Sequence, residues 1–146
     1  LTQKISHKSL FIIIINNLKY YKDNLINMNM ELVAFLGEDK ENWGQVTGLI
    51  NHGNWDKIIL IKNKNSKSFS ANKKSESIII DSSKSLLDIK NDLIQKLKGR
   101  FSGFDVNVSV ASGNGKEHMA LISALLSLPV GIRLVVFTKK GIEFIN

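Results

Sequence analysis

Val106-Asn107-Val108-Ser109-Val110-Ala111-Ser112-Gly113-Asn114-Gly115-Lys116-Glu117-His118-Met119 decides the fold class of this chain. Val106, Val108 and Val110 alternate with Asn107 and Ser109, the period-two pattern of a strand. A small polar turn follows, and then an apolar segment that runs through Leu128 and halts at Pro129, the pattern of a helix. Strand, Gly-rich turn and helix together are a common way for an α/β sheet to meet an anionic ligand. Gly113 and Gly115 let the backbone approach closely, the first helical turn offers unpaired N–H groups, and Lys116 adds a full positive charge.

The flanking sequence supplies the other elements. Glu31-Leu32-Val33-Ala34-Phe35-Leu36 is almost wholly apolar and ends at Gly37, which suits a strand buried on both faces. Gly37-Glu38-Asp39 makes the next turn. Trp43, Val46, Thr47 and Ile50 recur at helical spacing, and Gly53-Asn54 closes that helix. Lys57-Ile58-Ile59-Leu60-Ile61 reads as a second buried strand. Residues 62–77 are rich in Lys, Ser and Asn with Phe69 the only large apolar residue; they predict a mobile surface loop, or alternatively a basic arm over the ligand or along a partner's backbone.

Ser77-Ile78-Ile79-Ile80-Asp81 reads as a third strand. Ser85-Leu86-Leu87-Asp88 has capping-box spacing, and Leu86, Lys90, Leu93, Ile94 and Leu97 form a helix stripe ahead of Gly99. After the central strand and helix, Ile132-Arg133-Leu134-Val135-Val136-Phe137 and Ile142-Glu143-Phe144-Ile145 flank the tight turn Lys139-Lys140-Gly141, an antiparallel hairpin. The expected fold is α/β, a Rossmann-like three-layer sandwich. Its six-stranded sheet is mostly parallel with an antiparallel C-terminal hairpin. Ligands of such sheets sit beyond the carboxyl ends of the strands, where strand order reverses. If the first strand lies beside the fourth, that crevice is formed by Gly37, Glu38 and Asp39 with Ser112, Gly113, Asn114, Gly115 and Lys116.

Residues 1–29 stand apart from a single domain over 30–146. They contain no Gly, Ala or Val, and Ile, Asn, Lys and Tyr dominate. The run Leu10-Phe11-Ile12-Ile13-Ile14-Ile15 is too short to span a bilayer, and the segment lacks a signal-peptide cleavage pattern. It reads as an over-extended start ahead of Met28 or Met30, or as an added helix, strand or membrane-touching arm.

Composition narrows the chemistry. The chain has 146 residues, 43% of them apolar, and a net charge of +7, which suits an anionic partner as well as a lysine-rich solvated surface. Without cysteine there are no disulfides, thiolate chemistry or Cys-ligated zinc, which fits a cytoplasmic protein. Ser112-Gly113-Asn114-Gly115-Lys116-Glu117 is not a P-loop, since Val110 stands for the first Gly and Glu117 for the Mg²⁺-binding hydroxyl. Neither G-x-G-x-x-G on the first strand nor G-x-S-x-G is present, which weakens dehydrogenase and esterase readings. Trp43 and Trp55 could stack a base but better suit core anchors. His118, a possible general acid without a recognised partner, better suits a cap-region residue, and His52 a helix-end dipole partner. Glu38 and Asp39 alone are a weak Mg²⁺ signal, so neither a metal nor a further cofactor is expected. Met119, Leu121, Ile122, Leu125 and Leu126 read as the buried face of the central helix or a dimer contact.

The run Asn107 to Lys116, followed by Met119-Ala120-Leu121, resembles the turn after the fourth strand in the CRISPR-associated Rossmann fold (CARF) family. The strand order and terminal hairpin are also similar, over about residues 30–146. The resemblance implies a homodimer in antiviral signalling that holds a cyclic oligoadenylate across its two-fold axis and acts on a separate effector, with no membrane partner. By position, Ser112, Gly113, Asn114 and Gly115 would supply hydrogen bonds to the ligand and Lys116 would pair with a phosphate. Some family members are metal-independent ring nucleases, and in that alternative Lys116 would be the catalytic residue, stabilising developing charge. A third reading is a basic nucleic-acid-binding regulator using residues 62–74.

Overall fold

The computed structural model describes residues 4–26 and 29–146, with residues 20–26 described as helical backbone only. The chain runs α1 (His7–Ile26), β1 (Glu31–Leu36), α2 (Trp43–His52), β2 (Lys57–Lys62), β3 (Glu76–Ile79), α3 (Leu86–Leu97), β4 (Asp105–Ser109), α4 (Gly115–Leu126), β5 (Gly131–Thr138) and β6 (Gly141–Phe144). A short 3₁₀ turn, Lys40–Asn42, precedes α2. The sheet has six strands in the order β3-β2-β1-β4-β5-β6. All neighbouring pairs are parallel except β5 and β6. This is the Rossmann-like sandwich expected from the apolar runs, hairpin included.

Alternation within the buried strands divides the core. Val33, Phe35, Ile59, Ile61, Val106 and Val108 face α3 and α4, and meet Ile89, Leu93, Leu97, Leu121 and Leu125. Leu32, Ala34, Leu36, Ile58 and Leu60 face the other way, toward Val46, Leu49 and Ile50 of α2. Each fully buried Leu or Ile contributes roughly 1.5–3 kcal/mol of transfer free energy, so β1, with every side chain buried, is the spine of both layers.

Three local expectations are corrected. The polar segment after β2 lies mostly at the surface, as expected, but Asn63, Ser66 and Phe69 are buried and anchor it to the fold. Phe69 is only 7% exposed and packs in the α2-side core, edge-on to Trp43 at 5.6 Å between ring centroids. The Lys62 ammonium donates to the Phe69 carbonyl at 2.8 Å, and Ser66 Oγ, fully buried, donates to the Leu36 carbonyl at 2.6 Å. Burial pushes the Lys62 pKa down. The segment covers the part of the sheet that a crossover helix would otherwise cover. In α3 the buried stripe is Ile89, Leu93 and Leu97, with Lys90 at its margin; a hydrophobic stripe advances by three or four residues and Ile89 is the step omitted above. Finally, β3 begins at Glu76, although pairing continues to the Ile80 N–H, which donates to the Lys62 carbonyl at 2.8 Å.

Residues 7–26 form a helix whose apolar side chains from Leu10 to Ile15 are exposed. No helix among the described residues is long and apolar enough to cross a membrane. The proposed start at Met28 lies outside the described residues.

Candidate functional site

The strand order reverses between β1 and β4, which pair in parallel through Leu32 and Asn107, Val33 and Val108, and Ala34 and Ser109. Their carboxyl ends bring Gly37-Glu38-Asp39 against Ser112-Gly113-Asn114, as the topology predicts. Between them lies a small crevice of about 180 Å³, lined by Glu38, Asp39, Asn63, Ser82, Gly113, Asn114 and Glu117.

Two glycines make the approach possible. A Cβ on Gly37 would stand 2.6 Å from Gly113 Cα and 2.9 Å from its nitrogen, so the two turns touch backbone to backbone. Gly113 has φ +108°, and a Cβ there would also strike the Phe35 ring at 2.7 Å and His118 Nε2 at 2.9 Å. Gly115 is different: a Cβ at this first residue of α4 would meet nothing within 4 Å. The close approach assigned above to Gly113 and Gly115 belongs to Gly37 and Gly113.

Hydrogen bonds lock the two turns together. The buried Ser112 hydroxyl accepts from the Gly37 N–H at 2.9 Å and donates to Asp39 Oδ1 at 2.7 Å. Asp39 Oδ1 also accepts from the Gly113 N–H at 2.9 Å, while Oδ2 accepts from Asn42 Nδ2 at 2.8 Å. Burial pushes the Asp39 carboxyl up, but the hydrogen bonds from Asn42, Ser112 and Gly113 outweigh it and hold it below its ordinary value of 3.8. Trp43 Nε1 donates to the Gly37 carbonyl at 3.0 Å, which makes Trp43 a brace of this turn. His118 Nε2 lies 2.7 Å from the Ser112 carbonyl; a carbonyl only accepts, so this nitrogen carries the proton and the ring braces the other turn.

Glu117 is the residue that the sequence reading missed. It is 2% exposed, yet it stands in the first turn of α4 and anchors three segments. Its Oε1 accepts from the Asn114 N–H at 3.0 Å, and the Glu117 N–H donates to Asn114 Oδ1 at 2.9 Å, a reciprocal capping box. Oε2 accepts from Asn63 Nδ2 at 3.2 Å and from the Ser82 hydroxyl. Asn63 in turn holds the start of the β2–β3 segment, with Oδ1 accepting from the Asn65 N–H at 2.9 Å and the Ser66 N–H at 3.1 Å. The Asn-x-x-Glu spacing from Asn114 to Glu117 was the available signal for the cap. No local pattern marks Asn63 or Ser82, which arrive from other strand ends.

Lys116 does not line the crevice. Its ammonium donates to the carbonyls of Ser82 at 2.8 Å and Lys84 at 2.9 Å, and so ties the β3–α3 connection to α4. Glu38 is exposed and accepts from Asn65 Nδ2. Thus the Gly113 and Asn114 N–H groups, suited to an anion, already hold the carboxylates of Asp39 and Glu117. Among the described residues the N–H groups of Gly115 and Lys116 have no protein acceptor. No group of three or more His, Asp or Glu residues is placed to hold a metal ion among the described residues.

Elsewhere, Trp55 donates to the Leu49 carbonyl at 2.7 Å, and His52 Nδ1 lies 2.9 Å from the Gly48 carbonyl. Of the lysines between residues 62 and 74, Lys62 is buried on Phe69 and Lys73 reaches the Gly53 carbonyl at 3.0 Å. Lys64, Lys67 and Lys74 are exposed. The fold is a Rossmann-like α/β domain with a small crevice at its switch point. The sequence matches no family model and no curated protein.

Proposed function

We propose that this chain is a nucleotide-sensing domain of the CARF type that takes a cyclic oligoadenylate at the crevice between β1 and β4. The observation that carries this reading is the position of the Gly37–Asp39 and Ser112–Asn114 turns, in backbone contact at the switch point and beside the N-terminus of α4. The acidic wall shapes the chemistry: the exposed Glu38 and the half-buried Asp39 accept from ribose hydroxyls or base amino groups, while Glu117, buried and bonded through both oxygens, holds the wall in place. The N–H groups of Gly115 and Lys116 address phosphate. Met119 and Leu126, 62% and 71% exposed along one side of α4, support pairing with a second copy, which would complete a two-fold ligand site. Signal output then falls to a separate effector. The committed Lys116 ammonium favours a sensor over a ring nuclease, since a catalytic cation must first leave two carbonyls.

The test is incubation of the purified full chain with cyclic tetra-adenylate and cyclic hexa-adenylate, followed by chromatography of the ligand. Retained, intact ligand with a dimeric protein supports the sensor. Linear products that vanish in Lys116→Ala assign the ring nuclease instead. If neither ring is retained, the CARF reading is lost and the Rossmann-like fold alone stands.

A further inference from the structure

The helix α1 stands outside both core layers. None of its described side chains belongs to either one, and the consecutive large apolar residues Leu10 to Ile15 are 47% to 64% exposed. Leu18, one turn further on, is 60% exposed. A contiguous apolar surface left in water marks a place where something else binds.

The shape of this surface limits what can cover it. At about 100° and 1.5 Å per residue, the run from Leu10 to Ile15 reaches every side of the helix over about 9 Å of its length. Leu10, Phe11, Ile14, Ile15 and Leu18 share an arc of about 140°. Ile12 and Ile13 stand on the other side, among Ser6, Ser9, Asn16 and Asn17. A protein groove or a second helix covers one side and leaves the rest of the band wet. Hydrocarbon closes around whatever enters it, and interfacial helices sink about 5–10 Å into the boundary between headgroups and acyl chains.

Charge selects the same partner. Within α1, Lys8, Lys19 and Lys22 stand against one acid, Asp23, and Lys4 precedes the helix. Two copies of α1 laid together would bring like charges close, whereas an anionic surface attracts them. Lys8 and Lys19 fall at one margin of the apolar arc, where their stems can lie along it and carry the ammonium groups outward.

The root of the helix adds to this charge. Asn29 Nδ2 donates to the Ser102 hydroxyl at 2.9 Å and the Met30 N–H to Asp56 Oδ2 at 2.7 Å, which fixes the chain after α1 at the amino end of the sheet. Lys73, Lys74 and Lys98 are exposed at that end, while Glu76 there is held by Arg100 at 2.9 Å. The crevice lies at the other end of the strands, so a partner bound at α1 leaves it open.

We propose that α1 is an interfacial anchor that lies on an anionic phospholipid surface. Phe11, Ile14 and Leu18 face the acyl chains, and Lys8 and Lys19 meet the headgroup phosphates. The helix rests on the bilayer and does not cross it, being too short in its apolar part. Apolar insertion and basic charge are the two signals that stable attachment requires.

The full chain is mixed with vesicles of phosphatidylcholine and, separately, of equimolar phosphatidylcholine and phosphatidylglycerol, and bound protein is separated by flotation. Binding to the mixed vesicles should be at least about tenfold tighter than to phosphatidylcholine alone and should weaken with added salt. Phe11→Ala combined with Ile14→Ala removes apolar contact while favouring the helix, and should weaken binding by about tenfold or more. Lys8→Glu combined with Lys19→Glu keeps the arc and should remove the preference for the anionic lipid. Amides 10–18 should exchange more slowly with the mixed vesicles than without them. No flotation with the mixed vesicles, or undiminished binding by the double-alanine chain, would overturn the proposal. So would a dimer in vesicle-free solution that the two alanines dissociate, which would give this face to a second copy instead.

Discussion

Replacing Glu117 with Ala tests the central feature of the candidate site, a buried carboxylate that joins α4 to the ends of β2 and β3. The change removes the Asn114 N–H acceptor, half of a capping box worth about 1 kcal/mol. It also strips the charged acceptor from Asn63 Nδ2 and the Ser82 hydroxyl, where each bond contributes about 1.5 kcal/mol when water can partly replace it. Alanine recovers a few tenths of a kcal/mol (roughly 0.4) in helix propensity. The net loss is about 3 kcal/mol, or a fall in Tm of about 6–12 °C for a chain of this size. Urea and thermal unfolding followed by circular dichroism read it directly. Glu117→Gln keeps one oxygen but turns an amide N–H₂ toward donors, so it should lose about half as much. Asp88, at the equivalent position of α3, is exposed and returns no side-chain bond to Ser85, so Asp88→Ala should stay within about 0.5 kcal/mol of wild type. If Glu117→Ala is as mild as Asp88→Ala, the three-segment anchor contributes nothing and the reasoning fails.

The remaining predictions follow the same contacts. Because hydrogen bonding holds the folded pKa of Asp39 below its unfolded value of 3.8, its stabilisation is complete above that value and is lost as pH falls through the lower, folded one. The stability gap between wild type and Asp39→Asn should be flat from about pH 8 to 5 and close only below about pH 4, as read from urea midpoints at each pH. A gap that narrows near neutrality would contradict the assignment. Gly37→Ala should lower stability by about 1–3 kcal/mol, since the new methyl meets backbone that cannot rotate away. Gly115→Ala, in open space, should change it by less than about 0.5 kcal/mol; equal losses in the two would refute the backbone contact. Phe69→Ala should cost about 3 kcal/mol and expose amides 63–69 to hydrogen exchange, whereas a loosely attached segment would show neither.

Much of this architecture follows from local pattern. The run from Glu31 to Leu36 is apolar at nearly every position because β1 is covered on both sides, and a short uninterrupted apolar run is how that appears in sequence. Ser85 caps α3, Gly99 takes the left-handed φ of +73° beyond it, and Gly141 begins the strand after the hairpin turn, all through chemistry confined to a few adjacent residues. The switch point was legible too, because the order of strands and helices leaves few un-knotted, right-handed ways to wind the sheet.

The tertiary structure decided what each side chain at that switch point does. Lys116 is next to the Gly-rich turn in sequence, yet the β3–α3 connection supplies carbonyls that take its ammonium out of the crevice. Glu117 reads as an ordinary helix-start acid until Asn63 and Ser82, 54 and 35 residues away, arrive as its donors. Phe69 is one apolar residue in a polar run, too little for any periodicity, and only the uncovered face beside α2 makes it core. Secondary structure and winding order depend on spacing along the chain, which a sequence carries openly. The occupancy of an acceptor or a cation depends on which distant strand ends converge on it, and that is settled by packing.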